Sequence, residues 1–316
     1  MKVLLTGATG FIGKALVAEL MQKNFDVSIV VRQKNNLFPD KVKQFVVGSF
    51  ESNPDFSFSL FEIDCVIHLA GKAHIRGKAK ELTLDRFRKI NTELTLNLAN
   101  QAKTAGVERF IFLSSIGVNG NQNNQPFLEI NTPNPQEPYA VSKYEAEQGL
   151  LKLAKNSSFK VVIIRPPLVY GSNAPGNFGR LLQWASAKFI FPLPLGFVKN
   201  SRSLIAIDNL VDFIITCTIN LKATNEIFLI SDDETPSTTQ LLKKITKAFD
   251  KKVLLLPIPV SWMIFMAKFI GREADAVGLF SSLVVDSSKA RNLLDWKPII
   301  TMDEALKKIA NDNKNI

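Results

Sequence analysis

The sequence predicts an α/β fold: a doubly wound parallel sheet carrying a smaller, mixed α/β lobe. Three observations predict it. Strand-like apolar runs alternate with helix-spaced runs up to about residue 165, a glycine-spaced turn joins the first strand to the first helix, and after Pro166-Pro167 the alternation becomes mixed. Parallel strands are buried on both faces and read as near-continuous apolar runs, with helices between them. Right-handed crossovers then place a ligand at the carboxyl ends of the strands.

Each element follows from its local pattern. Lys2-Val3-Leu4-Leu5 is a short apolar run; a helix-spaced run at 13–23 and a second strand at 26–31 follow it. Further apolar runs lie at 44–47, 65–69, 109–113 and 160–164, with helical patterns at 81–104 and 139–155. The stretch 119–138, rich in Asn, Gln and Pro, reads as a surface loop. Beyond Pro167, helices at about 177–188, 208–220, 237–249 and 302–312 alternate with short strands. The organisation is therefore a nucleotide-binding half, 1–165, and a second lobe, 166–316, with an interleaved boundary.

The turn Thr6-Gly7-Ala8-Thr9-Gly10-Phe11-Ile12-Gly13 has G-x-x-G-x-x-G spacing between strand and helix. Glycine is needed there for a tight turn, for close approach of backbone to a pyrophosphate and for close helix–strand packing. The helix amino terminus then presents free N–H groups to the phosphates. Gly7, Gly10, Phe11, Ile12 and Gly13 are thus the expected pyrophosphate contacts of a dinucleotide.

Tyr139 and Lys143, in Tyr139-Ala140-Val141-Ser142-Lys143, lie four apart and share a helix face. A free phenol ionises near pH ~10, and a neighbouring ammonium is expected to lower that value. The pair then suits proton transfer in a carbonyl/alcohol interconversion. An exposed helix pair is the plainer reading of this motif taken alone.

Composition narrows the classes. The 316 residues, 46% apolar and 22% charged, are those of a soluble globular chain with a substantial core. Cys65 and Cys217 sit in apolar runs and read as buried reduced thiols. With two histidines, His68 and His74, no metal site is expected. The sequence opens on its first strand, so no signal peptide is expected and the chain reads as cytoplasmic. The apolar stretch 253–270 contains Pro257, Pro259 and Lys268 and falls short of a membrane span. The formal charge of +10 suits an anionic substrate and a pyrophosphate cofactor. Without a nucleic-acid motif or dense basic run, nucleic acid is not an expected partner. Weak membrane-surface association through 262–270 stays open, although a helix buried in the second lobe is the expectation for that segment.

These residues carry a resemblance. The chain resembles the extended short-chain dehydrogenase/reductases of the sugar-nucleotide epimerase/dehydratase superfamily, nearly end to end. Further matching motifs are Ile67-His68-Leu69-Ala70-Gly71, Ile90-Asn91-Thr92, Phe112-Leu113-Ser114-Ser115-Ile116-Gly117-Val118-Asn119-Gly120, Arg165-Pro166-Pro167-Leu168-Val169-Tyr170-Gly171, Arg202 to Leu210, and Leu293-Leu294-Asp295-Trp296-Lys297-Pro298. Within the family it looks most like UDP-glucose 4-epimerase-like proteins of bacterial polysaccharide assembly, some of them 4-reductases that make UDP-N-acetyl-quinovosamine. The resemblance implies a Rossmann-type fold, a UDP-sugar substrate, and a homodimer formed through the helices around 91–104 and 139–155.

It also implies roles. Ser115, Tyr139 and Lys143 would be catalytic, with Ser115 touching the sugar. Lys143 would also hold the nicotinamide ribose. Ala70, Gly71, Asn91, Ser114 and Pro166 would line the cofactor, while His68 reads as a satisfied core histidine. Asn177 and Arg202 match positions that hold the nucleotide diphosphate, and Arg272 is a further candidate.

Two departures from the family pattern matter. The second strand ends at Val31-Arg32-Gln33-Lys34 where NAD-binding members carry an acidic residue, which favours NADP(H) over NAD(H) and makes Arg32 a cofactor contact. Ile116 and Gly117 stand where dehydratases place an acidic pair, which argues against water elimination. The expected activity is reduction of the C4 ketone of a UDP-4-keto-6-deoxy-hexosamine. A 4-epimerase with tightly bound NAD is the alternative, and a non-catalytic NADP-sensing protein is a third reading.

Overall fold

The computed structural model describes residues 1–72, 83–187, 191–269, 271 and 273–314. Among these, seven parallel strands form one sheet: β1 (Lys2–Thr6), β2 (Asp26–Val31), β3 (Lys43–Val46), β4 (Cys65–His68), β5 (Arg109–Leu113), β6 (Lys160–Arg165) and β9 (Ile227–Leu229). Their order across the sheet is β3-β2-β1-β4-β5-β6-β9. The chain enters at β1, winds outward to β3, then returns to β4 on the other side of β1, with Thr6 in register with His68. That reversal opens a crevice at the carboxyl ends of β1 and β4.

Both faces of the sheet are covered. On one, α1 (Phe11–Gln22) and α6 (Ile207–Ile219) close a core that includes Leu5, Leu16, Ile67, Ile111 and Phe213. On the other, α3 (Leu94–Thr104) and α4 (Pro138–Ala154) close a core with Leu98, Phe110, Leu150 and Val161. Pro138 opens α4, where its fixed φ fits and its missing N–H costs nothing.

The second half does not stand apart from the sheet. β9 pairs with β6, and α6 shares the core of α1. The remaining lobe is built on the parallel pair β7 (Leu168–Tyr170) and β8 (Leu204–Ala206), packed with α5 (Gly176–Ser186), α7 (Thr238–Ala248) and α11 (Met302–Lys314). A buried knot ties it to the sheet. Asp232 accepts hydrogen bonds from Tyr170 Oη at 2.6 Å and Asn209 Nδ2 at 2.7 Å. Tyr170 and Asn209, both in the sequence motifs, thus work in packing.

Two elements differ from expectation. The helix read over 81–104 is three pieces: α2 (Leu84–Phe87), a π-helical turn (Arg88–Glu93) and α3, with 81–82 outside the described residues. The wider turn carries Asn91, whose carbonyl accepts Thr95 Oγ1 at 2.7 Å. The second difference is α8 (Val260–Phe269), expected to be buried in the lobe; none of its residues is buried. Among the described elements its main packing partner is α9 (Glu273–Phe280), and Trp262, Phe265, Met266 and Phe269 stay exposed.

Candidate active site

The glycine turn is a cradle that side chains would fill. Gly7 has φ +78°, and a Cβ there would lie 2.6 Å from the Ala70 nitrogen. A Cβ on Gly13 would meet the Gly7 carbonyl oxygen at 2.2 Å, and one on Gly10 would meet the same oxygen at 3.2 Å. Conformation and space require glycine at Gly7 and space alone requires it at Gly13, while Gly10 is tightly placed. α1 begins at Phe11 with no side-chain cap from Gly10, so its first N–H groups and the positive end of its dipole face the crevice. These features fit a dinucleotide pyrophosphate. Arg32 is exposed directly after β2, where an adenosine ribose would lie in such a fold.

From the cradle the site continues to the catalytic candidates. Thr6 Oγ1 accepts the Ala70 N–H at 3.3 Å and pairs with His68 Nδ1 at 2.6 Å, while His68 Nε2 pairs with Thr95 Oγ1 at 2.9 Å. His68 is fully buried and satisfied, and burial pulls its pKa down to about 3. It is a neutral core histidine, as the sequence suggested. A Cβ on Gly71 would lie 3.2 Å from both Lys143 Nζ and Asn91 Oδ1, so Gly71 leaves room for the lysine.

α4 brings Tyr139 and Lys143 to the end of β5. Ser115 follows that strand; its hydroxyl accepts the Gly117 N–H at 3.1 Å and hydrogen-bonds Tyr139. Phe87 packs edge-on against the Tyr139 ring, with centroids 6.1 Å apart. Lys143 is 3% exposed; its ammonium donates to the Leu113 carbonyl at 2.9 Å and lies 4.4 Å from the Phe112 ring centre.

The electrostatics differ from the sequence expectation. Burial pushes the Tyr139 phenol up to about 12, outweighing the Ser115 hydrogen bond that pulls it down. Burial likewise pulls Lys143 down to about 7, against the opposing pull of Glu147. A nearby lysine was expected to lower the tyrosine; in the enclosed site, desolvation disfavours both charged forms and dominates.

Beneath these residues lies a charged cluster that the sequence reading missed. Glu147 is fully buried and takes two bonds from Arg165, Nε to Oε1 at 3.0 Å and Nη2 to Oε2 at 2.5 Å. Ser114 Oγ donates to the same carboxylate at 2.5 Å, and Arg165 Nη1 donates to Asn119 Oδ1 at 2.9 Å. Ser114, expected at the cofactor, thus turns its hydroxyl to Glu147. The cluster pins α4 to the ends of β5 and β6. Its signal was available, because Tyr139, Lys143 and Glu147 repeat at four-residue spacing.

The other candidates fall as follows. Asn91 Nδ2 donates to Ser142 Oγ at 3.0 Å and its Oδ1 accepts the Lys72 N–H at 2.8 Å, so it braces α4 and the chain after Gly71. The Pro166 carbonyl accepts the Ile116 N–H at 3.0 Å, holding the turn after Ser115. Arg202 is half-buried, with Nη1 on the Gly278 carbonyl at 2.7 Å and on Ser281 O at 3.1 Å. Asn177 lies on α5, its side chain outside the description, and Arg272 lies outside the described residues. Both cysteines are buried and free.

A glycine cradle at the sheet's switch point, continuous with a Ser–Tyr–Lys set, could hold a dinucleotide beside a proton donor. The model of the NAD dependent epimerase/dehydratase family matches residues 3–231. A UDP-glucose 4-epimerase of Vibrio cholerae is 39% identical over 312 residues, covering 98% of this chain and 94% of that protein. A dTDP-4-dehydro-6-deoxyglucose reductase of Escherichia coli is 25% identical over 323 residues, covering 97% and 96%. Among solved structures, a UDP-glucose 4-epimerase of Thermotoga maritima with UDP-glucose superposes with a TM-score of 0.79 at 25% identity, covering 100% and 99%. The chain belongs to the NAD-dependent epimerase/dehydratase family.

Proposed function

We propose that this enzyme is a sugar-nucleotide 4-ketoreductase. It reduces the C4 ketone of a UDP-4-keto-6-deoxy-hexosamine with NADPH, in synthesis of a surface polysaccharide such as O-antigen or capsule. The observation that carries the reading is the state of Tyr139: a hydrogen-bonded phenol, held protonated by burial, beside the Ser115 hydroxyl. Reduction of a ketone needs a proton donor at the new alcohol oxygen, and a neutral phenol is one. Ser115 orients the carbonyl oxygen toward Tyr139. Lys143 holds the nicotinamide ribose, and the cradle of Gly7, Gly10 and Gly13 holds the pyrophosphate with the α1 N–H groups. When bound, the reduced nicotinamide supplies hydride to C4.

Other features support the same reading. Ile116 and Gly117 form the turn after Ser115, so no carboxylate stands there to drive water elimination. Arg32, without a carboxylate beside it, suits a 2′-phosphate. Arg202 is assigned to the substrate diphosphate, and the E. coli relative is itself a 4-keto reductase by name.

A second reading is a 4-epimerase acting on a UDP-hexose or N-acetylhexosamine, favoured by the 39% identity to the V. cholerae enzyme. It uses the same residues, with Tyr139 first accepting a proton. Tyr139→Phe tests the shared chemistry: turnover should be lost while dinucleotide binding, read by calorimetry, persists. A variant retaining most of its activity would remove Tyr139 from the mechanism.

A further inference from the structure

α8 presents a face that no described residue covers. Met263, Ile264 and Ala267 are partly buried on its inner side. Trp262, Phe265, Met266 and Phe269 form the opposite stripe at i, i+3, i+4 and i+7, with exposures of 69%, 58%, 59% and 74%. The Phe265 and Phe269 rings meet edge to face at 4.8 Å. A helix apolar on all sides belongs inside a protein or a lipid phase, and a bare aromatic stripe marks a contact surface.

Charge selects the occupant. Around α8 the sequence carries Lys251, Lys252, Lys268 and Arg272, with Asp250 before them and Glu273 and Asp275 after, on a chain of net charge +10. Lys252 and Lys268 are exposed. An exposed aromatic stripe that carries Lys268 on the same helix, on a strongly basic chain, is the pattern of a helix lying in the headgroup layer of an anionic bilayer, with Trp at the interface. A second copy is a poorer occupant, because a net charge of +10 opposes self-association. The family's dimer helices, around 91–104 and 139–155, also lie elsewhere in the fold. No described helix is long and apolar enough to cross a membrane, so α8 would lie on the surface.

We propose that the outer stripe of α8 docks this enzyme on an anionic phospholipid bilayer. The docked helix packs on α9, whose end accepts the Arg202 guanidinium, so docking sets the second lobe against the headgroups. The inference does not rest on the proposed reaction.

The test is co-sedimentation of the full chain with vesicles of phosphatidylcholine, alone or mixed with phosphatidylglycerol. Binding to the mixed vesicles is expected, weakened by salt and reduced about tenfold or more by Phe265→Ser with Phe269→Ser. Dinucleotide binding by the double variant, expected unchanged, shows that it has folded. Absence of binding to mixed vesicles at low salt, or binding that the substitutions leave intact, would overturn the proposal. So would a lipid-free dimer that the substitutions convert to monomer, which would assign the face to a second copy.

Discussion

Glu147→Gln keeps the shape of a fully enclosed side chain and removes its charge. The carboxylate receives Arg165 through two nitrogens, at 3.0 and 2.5 Å, and Ser114 at 2.5 Å, with Glu147 and Arg165 exposed by 0% and 2%. The substitution leaves a guanidinium in low dielectric facing a neutral amide. Breaking one partner of such a pair costs about 3–5 kcal/mol. At about 2 °C per kcal/mol for a chain of this size, the thermal midpoint should fall by roughly 6–10 °C. Replacing both partners, Glu147→Gln with Arg165→Met, should recover much of that loss, because no bare charge remains. The surface pair of Glu19 and Lys23, 3.5 Å apart and half-exposed, is the control; Glu19→Ala should cost less than about 0.5 kcal/mol. Urea and thermal unfolding of the five proteins, the single Arg165→Met variant included, measure this. A Glu147→Gln loss below about 1 kcal/mol, or additive losses in the double variant, would refute the argument that an enclosed charge pair holds α4 against β5 and β6.

Further outcomes follow from the same geometry. Gly13→Ala places a Cβ 2.2 Å from the Gly7 carbonyl oxygen, so calorimetry should show dinucleotide affinity reduced by at least about 100-fold. His68 takes up its proton at about 3 in the folded chain and near 6.5 when unfolded, so the unfolded state binds the extra proton between those values. Stability should therefore fall as pH drops through that window, and His68→Gln should flatten the curve of unfolding midpoint against pH. Lys143, about 7 folded against 10.5 unfolded, adds a rise in stability from about pH 7 upward that Lys143→Met removes. Arg32→Glu should lower kcat/KM for NADPH by about tenfold or more while sparing NADH, in parallel steady-state assays; equal loss for both would place Arg32 outside the ribose site.

Much of the fold was legible because its signals are local. The run from Lys2 to Gly13 needs only adjacent residues to announce strand, turn and helix, and the four-residue step from Tyr139 to Lys143 identifies one helix face. β7 and β8 were not individually legible, since three-residue strands carry too little periodicity. The π-helical turn at Arg88–Glu93 was read as continuous helix because hydrophobic spacing does not register a single wider turn. α8 was expected inside the lobe because apolar composition says that a helix seeks cover and not who provides it. The Tyr139 shift was misjudged for a related reason: sequence shows the neighbouring lysine, whereas the enclosure that outweighs it is assembled from Phe87, β5 and the Ser115 turn. Glu147 could have been found by extending the Tyr–Lys spacing one more turn.

The most direct measurement is nicotinamide absorbance after mixing the purified enzyme with UDP-4-keto-6-deoxy-N-acetylglucosamine and NADPH, with NADH in parallel. Substrate-dependent loss of one reduced cofactor per sugar, faster with NADPH, is the predicted result. No loss with either cofactor, together with interconversion of UDP-hexose C4 epimers by the same preparation, would contradict the reductase and establish the epimerase.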